Sequence, residues 1–332
     1  MNHDECLQED SFNTMKRLSL YVTRRLPDPV MAALTERFHL TQPPETGPPN
    51  RDTILAGIRD ADALICTLAE QVDAPMLTKA SHLRVIANYA VGYNNIDLEA
   101  ARVHNIIVTN TPDILTETTA DLTWALLLAT ARQIPAGHAL VQQGAWTGWD
   151  PRQFLGVDVF GHTLGVIGMG RIGQAVARRA AGFNMPVLYH NRTPKDFPDH
   201  PSWSSAALDD VVTQADFLTL HVPLTADTRH LIGPQELQLM RSTAYLINVA
   251  RGPVVDEAAL VDALQKGQLA GAGLDVYEHE PAIHPGLLAL NNVVTLPHLG
   301  SATHTTRIRM GMMCLENVCA VLEGKPAPNR VA

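Results

Sequence analysis

Residues 164–180 read LGVIGMGRIGQAVARRA, an apolar run that breaks into G-x-G-x-x-G at Gly168, Gly170 and Gly173 and passes directly into a helical pattern. Glycines at this spacing, between a strand and a helix, permit a tight turn, close approach of backbone to a pyrophosphate and close packing of helix on strand. The helix start, from Gly170 through Arg171 and Ile172, adds amide donors and a favourable dipole. The feature therefore predicts a doubly wound α/β unit that binds a dinucleotide. It lies in the middle of the 332-residue chain, so the N-terminal third is not the nucleotide domain. The plainer alternative is a glycine-rich turn with no ligand.

About 20 residues beyond such a turn, an acid ordinarily accepts bonds from a ribose 2′-hydroxyl. Here the stretch YHNRTP offers Asn191, Arg192 and Thr193. A carboxylate at that point repels a 2′-phosphate, at about 4 kcal/mol per charge pair 4 Å apart at a surface-like dielectric. Asparagine removes the repulsion, arginine brings a planar fork suited to phosphate oxygens, and threonine adds a hydroxyl. This pattern favours NADP(H) over NAD(H), which stays possible; the bland alternative is that Arg192 is a solvated loop charge.

β-rich runs alternate with helical ones along the rest of the chain, the pattern of parallel α/β architecture. LSLYVT, ALICTL, LRVIANYA and IIVTN read as buried strands before the glycine turn. TLGVIG, PVLYHN, DFLTLHV, AYLINVA, AGAGLDV and VVTL form a second series. TETTADLTWALLLATARQI reads as a deeply buried helix capped at Thr116–Glu117. THTTRIRMGMMCLENVCAVLEG reads as one long helix, whose packing partner the pattern leaves open. TQPPETGPPN reads as a surface loop and residues 1–15 as a polar, acidic, disordered extension unlike a signal peptide.

Bulk properties exclude several classes. At 332 residues the chain exceeds one core, which stops growing near about 250–300 residues. A net charge of −9 without a basic run argues against nucleic acid as partner. No apolar stretch has transmembrane length, and no cluster has metal-ligand spacing. Four scattered cysteines suggest neither a disulfide framework nor a zinc site, so a reducing cytoplasm is the simplest compartment.

Three stretches fall where strands of the second series end: NVARG (248–252), GLDVYEHEP (273–281) and LPHLGSAT (296–303). Ligands bind at the carboxyl ends of strands in open α/β sheets. Arg251 there can clamp a carboxylate, His298 can exchange a proton, and Glu280 can orient the imidazole. Arg251 pairing with Asp256, and Glu280 as a turn acid, are the structural alternatives. Glu278 and His279 read as solvated.

With NYAVGYNNID, TADLTWALLLA, HVPLT and NVARGPVVDE added to these, the chain from about Leu18 to Pro328 resembles the D-isomer-specific 2-hydroxyacid dehydrogenases, in the glyoxylate/hydroxypyruvate reductase branch. The resemblance implies two Rossmann-like parallel-sheet domains, the NADP-binding one (116–298) inserted into a flavodoxin-like substrate domain (16–115 plus 299–328), with the active-site cleft between them. It assigns the last helix to the substrate domain. His298 becomes the proton donor and acceptor, kept protonated by Glu280, and Arg251 the residue that holds the substrate carboxylate and polarises the carbonyl. Val91 and Gly92 would offer backbone amides to that carboxylate, with Ser301 and Leu68 beside the pocket. Thr119, Pro223, Val249 and Asp275 match cofactor contacts, Asp275 at the nicotinamide amide. Trp149 resembles an aromatic lent to a neighbouring subunit, which implies a homodimer. The implied reaction is metal-free, NADPH-dependent reduction of glyoxylate or hydroxypyruvate to glycolate or D-glycerate. Phosphite oxidation on the same fold, and a nucleotide-sensing role like that of corepressor relatives, are the rival readings.

Overall fold

The computed structural model describes residues 17–42 and 47–332; the N-terminal extension and the middle of the TQPPETGPPN loop lie outside the described residues. The chain forms two compact units. The first comprises residues up to Tyr89, Asp97–Thr109 and Gly311–Ala332, and the second Ala90–Ile96 with Asn110–Met310.

The first unit is built on a five-stranded parallel sheet. Its strands are β1 (Ser19–Val22), β2 (His39–Thr41), β3 (Ala63–Cys66), β4 (Val85–Asn88) and β5 (Ile107–Thr109), in the order β2-β1-β3-β4-β5. This is the flavodoxin-type order. The central strands β3 and β4 are buried at every residue, as expected of a parallel sheet covered on both faces. Part of that cover is the last helix, His304–Leu322, which belongs to this unit from Gly311 onward. Gly311 lies against Val30, and Cys314, Val318 and Val321 are buried. Arg84 Nη2 donates to the carbonyls of Val321 and Leu322 at the helix end.

The second unit carries a seven-stranded parallel sheet. Its strands are β6 (Leu164–Ile167), β7 (Val187–His190), β8 (Trp203–Ser205), β9 (Phe217–Leu220), β10 (Tyr245–Asn248), β11 (Gly271–Leu274) and β12 (Val293–Thr295). Their order is β12-β11-β10-β9-β6-β7-β8, which reverses between β6 and β9, the topological switch point of a dinucleotide-binding fold. Alternate residues along a strand face opposite sides, so each strand feeds two cores. Val166, Phe217 and Ile247 join Trp124 and Leu127 on one face, while Ile167, Leu218 and Leu246 join Leu260 and Ile232 on the other.

The predicted buried helix is Thr116–Ala131, but its N-cap is Leu115 with no side-chain cap. Glu117 is spent elsewhere, on Arg178 and Arg179 of the helix Arg171–Ala180. Trp124 holds this helix in place: it stacks on Phe183 at 4.6 Å and donates from Nε1 to Val176 O at 3.0 Å.

The second unit also takes in Ala90–Ile96, Asn110–Leu115 and the residues from Leu299 to Met310; backbone and side-chain bonds join the first two segments to each other, and Arg251 Nε donates to Asn94 Oδ1 at 3.2 Å. Asn110 Nδ2 donates to Val91 O at 2.8 Å, and Thr111 N to Ala90 O at 2.9 Å. Beyond 298, Leu299 and Gly300 bond Asp275, and the Thr118 and Thr306 hydroxyls pair at 2.7 Å.

Candidate active site

The glycine turn follows β6 at the switch point. Gly168 has φ +97°, and a Cβ there would press on the His221 carbonyl group after β9. Gly173 faces the Gly168 carbonyl and Val166, leaving no space for a side chain. At Gly170 a Cβ would meet nothing within 4 Å, so the turn has open space above the helix N-terminus. Close backbone below and free space above suit a pyrophosphate, and these residues fit a dinucleotide. His221 sits beneath the turn, its Nε2 3.0 Å from Thr219 Oγ1, and burial drives its pKa down to about 3.

The residues predicted to read the ribose end follow β7. Asn191 Oδ1 accepts the Met169 amide proton at 2.7 Å, so this side chain braces the glycine turn. Arg192 is exposed, with Nη1 3.4 Å from Asp227 Oδ2; Thr193 is exposed beside it. Arg171 pairs with Asp113 at 2.6 Å. Pro223 accepts through its carbonyl from Thr228 Oγ1, and Val249 is packed in the core.

Thr119 and Asp275 are occupied by the loop after β12. Thr119 Oγ1 donates to Gly300 O at 3.0 Å. Asp275 is wholly buried; Oδ1 accepts from Leu299 N at 2.6 Å, Oδ2 from Gly300 N at 2.9 Å, and its carbonyl from His298 N at 2.9 Å. Burial raises its pKa, against the pull of the Leu299 amide and of His298. His298 itself has φ +55°, a left-handed conformation rare outside glycine, and this mesh of bonds holds it there.

His298 Nδ1 lies 3.0 Å from Glu280 Oε2, and Glu280 Oε1 accepts from Tyr277 N at 3.0 Å. Burial alone would raise the Glu280 pKa. The hydrogen bond and charge of His298, the Tyr277 amide and the charge of Arg251 outweigh it and hold the carboxyl below its usual range.

Arg251 follows β10, in a turn tied by Asn248, whose Oδ1 accepts from Ala250 N and whose Nδ2 donates to Arg251 O, each at 3.0 Å. The Arg251 guanidinium donates through Nη1 to Ala250 O at 2.7 Å and through Nε to Asn94 Oδ1 at 3.2 Å. Nη2 lies against Gly92, where any Cβ would overlap it. Burial lowers the pKa of this guanidinium, and the charge of Glu280 opposes the shift. Asp256 does not serve Arg251: it caps the helix Glu257–Gln265 through Ala259 N.

The structure thus brings Val91, Gly92, Arg251, Glu280, His298 and Ser301 into the second unit, whereas Leu68 belongs to the first. Leu68 sits half-buried in a loop braced by Glu70, which accepts from Thr67 N and Thr67 Oγ1 at 2.7 Å and from Thr23 and Arg24. Glu278 is not solvated: it is largely buried and accepts from His230 Nε2 at 2.7 Å and Arg229 Nη2 at 3.0 Å. Trp149 is exposed. Sequence reasoning overlooked Asn248, Asn94 and Glu70. An Asn at a strand end is a signal for turn bracing, but nothing local marks the other two. Among the described residues, no group of His, Cys, Asp or Glu could hold a metal ion and no helix is long and apolar enough to cross a membrane.

A switch-point glycine turn with a histidine–carboxylate pair at neighbouring strand ends defines a dinucleotide-dependent oxidoreductase. The family profile described as D-isomer specific 2-hydroxyacid dehydrogenase, NAD binding domain, matches residues 124–300. The glyoxylate reductase of Thermococcus kodakarensis is 45% identical over 320 residues, 95% of this chain and 96% of its own. A Thermus thermophilus protein of known structure is 46% identical with a TM-score of 0.88, covering 95% of this chain and 100% of the other. The NADPH-dependent glyoxylate/hydroxypyruvate reductase of Sinorhizobium meliloti, solved with NADP and malonate, is 35% identical with a TM-score of 0.85, covering 95% and 97%. The chain belongs to the D-isomer-specific 2-hydroxyacid dehydrogenase family and groups with its glyoxylate reductase branch.

Proposed function

We propose that the protein reduces glyoxylate and hydroxypyruvate to glycolate and D-glycerate, with NADPH preferred to NADH. One observation carries the reading: His298 Nδ1 lies 3.0 Å from Glu280 Oε2, a histidine–carboxylate pair in the same unit as Arg251 and the glycine turn. The names of the relatives supply the substrate class.

The bound nicotinamide nucleotide supplies the hydride that reduces the carbonyl carbon. Arg251 and the Val91–Gly92 backbone hold the substrate carboxylate, with Ser301 beside them. With Nδ1 engaged by Glu280, His298 presents Nε2 to the carbonyl oxygen and delivers the proton that completes the alcohol. Negative charge develops on that oxygen in the transition state, so Arg251 assists the chemical step as well as binding. Asp275 and Thr119 serve both as loop braces and beside the cofactor, with Pro223 and Val249 flanking it. Preference for NADPH rests on Asn191, Arg192 and Thr193; Arg192 exchanges its loose contact with Asp227 for a 2′-phosphate. A homodimer, in which Trp149 reaches the partner's pocket, completes the reading.

Initial rates of NADPH and NADH oxidation with glyoxylate, hydroxypyruvate, pyruvate and phenylpyruvate test it. Wild type should favour NADPH with the two small acids. His298→Ala should lose about 10²–10⁴-fold in kcat/KM, the range for a general acid. Arg192→Ala should raise the NADPH KM about tenfold, roughly 1.4 kcal/mol, and leave NADH alone. A preference for NADH overturns the role of Arg192, and turnover with none of the acids overturns the reaction.

A further inference from the structure

Arg251 is held by acceptors that carry no charge: the carbonyl of Ala250 at Nη1 and the side-chain amide of Asn94 at Nε. An arginine has donors only, so the atom of Asn94 that meets Nε at 3.2 Å has to be its carbonyl oxygen. Asn94 and Gly92 belong to the same short segment, Ala90–Ile96, which is part of the second unit. That segment meets the guanidinium twice, at Nε through the Asn94 amide and at Nη2 through the backbone of Gly92.

From this geometry we propose that Asn94 is a positioning and specificity-determining residue, which fixes the guanidinium of Arg251 with a neutral acceptor so that its charge stays available to the substrate carboxylate. The proposal rests on the reading of Arg251 as the carboxylate grip. A guanidinium with one edge tied down keeps its planar fork in a single orientation, which a two-point contact with a carboxylate requires. Had the tie been a carboxylate, the same orientation would come with an ion pair, and an incoming anion would have to compete with it. Asn94 separates orientation from neutralisation. The role differs from that of Asn248, which ties the backbone of the Arg251 turn and leaves the guanidinium alone.

The discriminating pair is Asn94→Asp and Asn94→Ala. If Asn94 only stabilises the fold, aspartate, which keeps and strengthens the bond to Nε, should be the milder change. If a neutral acceptor is what matters, aspartate should be the worse one for substrate. We expect Asn94→Asp to raise the KM for the 2-oxo acid and the inhibition constant of oxalate, a two-carbon dicarboxylate, by about tenfold or more. The rise for Asn94→Ala should be smaller. In Asn94→Asp the KM for the cofactor should match that of wild type and the melting temperature should match or exceed the wild-type value, while kcat falls along with the charge that Arg251 offers the transition state. A larger defect in alanine than in aspartate, or wild-type KM and oxalate inhibition in aspartate, overturns the proposal. Oxalate binding by calorimetry, with cofactor present, separates this proposal from the proposed reaction. If wild type turns over no 2-oxo acid yet binds oxalate, the reaction is wrong and the order of affinities among the three proteins still decides the role of Asn94. If wild type binds no oxalate, the carboxylate grip and the proposal fall together.

Discussion

Glu280 is the residue on which the proposed proton chemistry turns. Its carboxyl is partly buried, which by itself favours the neutral acid, yet it is held below the ordinary glutamate range by His298, the Tyr277 amide and Arg251. It therefore stays ionised throughout the neutral range. A depressed folded-state pKa contributes stability above the unfolded value, and that stability is lost as pH falls through the lowered one. The same carboxylate holds His298 through Nδ1 and so orients the imidazole. Glu280→Gln keeps the shape and a hydrogen-bond acceptor but removes the charge. In the variant, kcat/KM for 2-oxo acid reduction at pH 7.5 should fall about 10–100-fold, part of a general acid's contribution. A kcat/KM equal to wild type would show that Glu280 orients nothing that matters to the proton. An Arg, an acid pair and a His at strand ends were readable from residue type and position, because those signals are local to their own motifs, while the choice of Glu280 came from the family resemblance. Asn94 was not readable, since its partner lies 157 positions away and only the folded chain joins them.

Among elements, the loop after β12 shows how structure is spent on holding one side chain. His298 adopts a backbone conformation that few non-glycine residues tolerate, at a cost on the order of 1–3 kcal/mol. Asp275, at the end of β11, offsets it by accepting the amides of Leu299 and Gly300, and Thr119 holds the Gly300 carbonyl from the helix Thr116–Ala131. In Asp275→Ala two buried amides lose their acceptor, at about 1–3 kcal/mol each. The midpoint of thermal unfolding should drop by several degrees, at roughly 2–4 °C per kcal/mol for a unit this size. Turnover should fall more steeply than affinity for the cofactor. An unchanged midpoint in differential scanning calorimetry would mean that water replaces the carboxylate and the brace is dispensable. Sequence patterning found the interior strands of both sheets because parallel strands buried on both faces are continuous apolar runs. It missed β2 (His39–Thr41) and β8 (Trp203–Ser205), three-residue edge strands with no fully buried side chain and so no continuous apolar run. The expected cap at Thr116 failed for a related reason: Glu117 has better partners in Arg178 and Arg179 than the helix terminus offers, and only tertiary structure supplies them.

For the molecule as a whole, the glycine turn in mid-chain marked the second sheet as the nucleotide-binding one, while the split of the first unit into N-terminal and C-terminal segments came only from the family resemblance; both strand orders follow known doubly wound patterns. Where the chain passes between units was less legible, because Ala90–Ile96 belongs with the second unit through contacts made by Asn110, Thr111 and Arg251. The distribution of exposed apolar side chains bears on assembly. Seven of the twelve large ones among the described residues fall between 134 and 160: Ile134, Val141, Trp146, Trp149, Phe154, Leu155 and Phe160. The helix Ile134–Gln142 buries none of its residues. Scattered exposed apolar residues are normal, but a run of them marks an interaction surface. A second copy of the chain is the occupant the proposed homodimer requires. Sedimentation equilibrium should then give twice the 36.1 kDa chain mass. Ile134→Asp with Val141→Asp, placed on the helix away from Trp149, should give a folded monomer with lower turnover, since no partner then supplies Trp149. Trp149→Ala should keep the dimer mass and raise the KM for the 2-oxo acid alone. A wild-type monomer at micromolar concentration with full activity would remove both the dimer and the lent tryptophan.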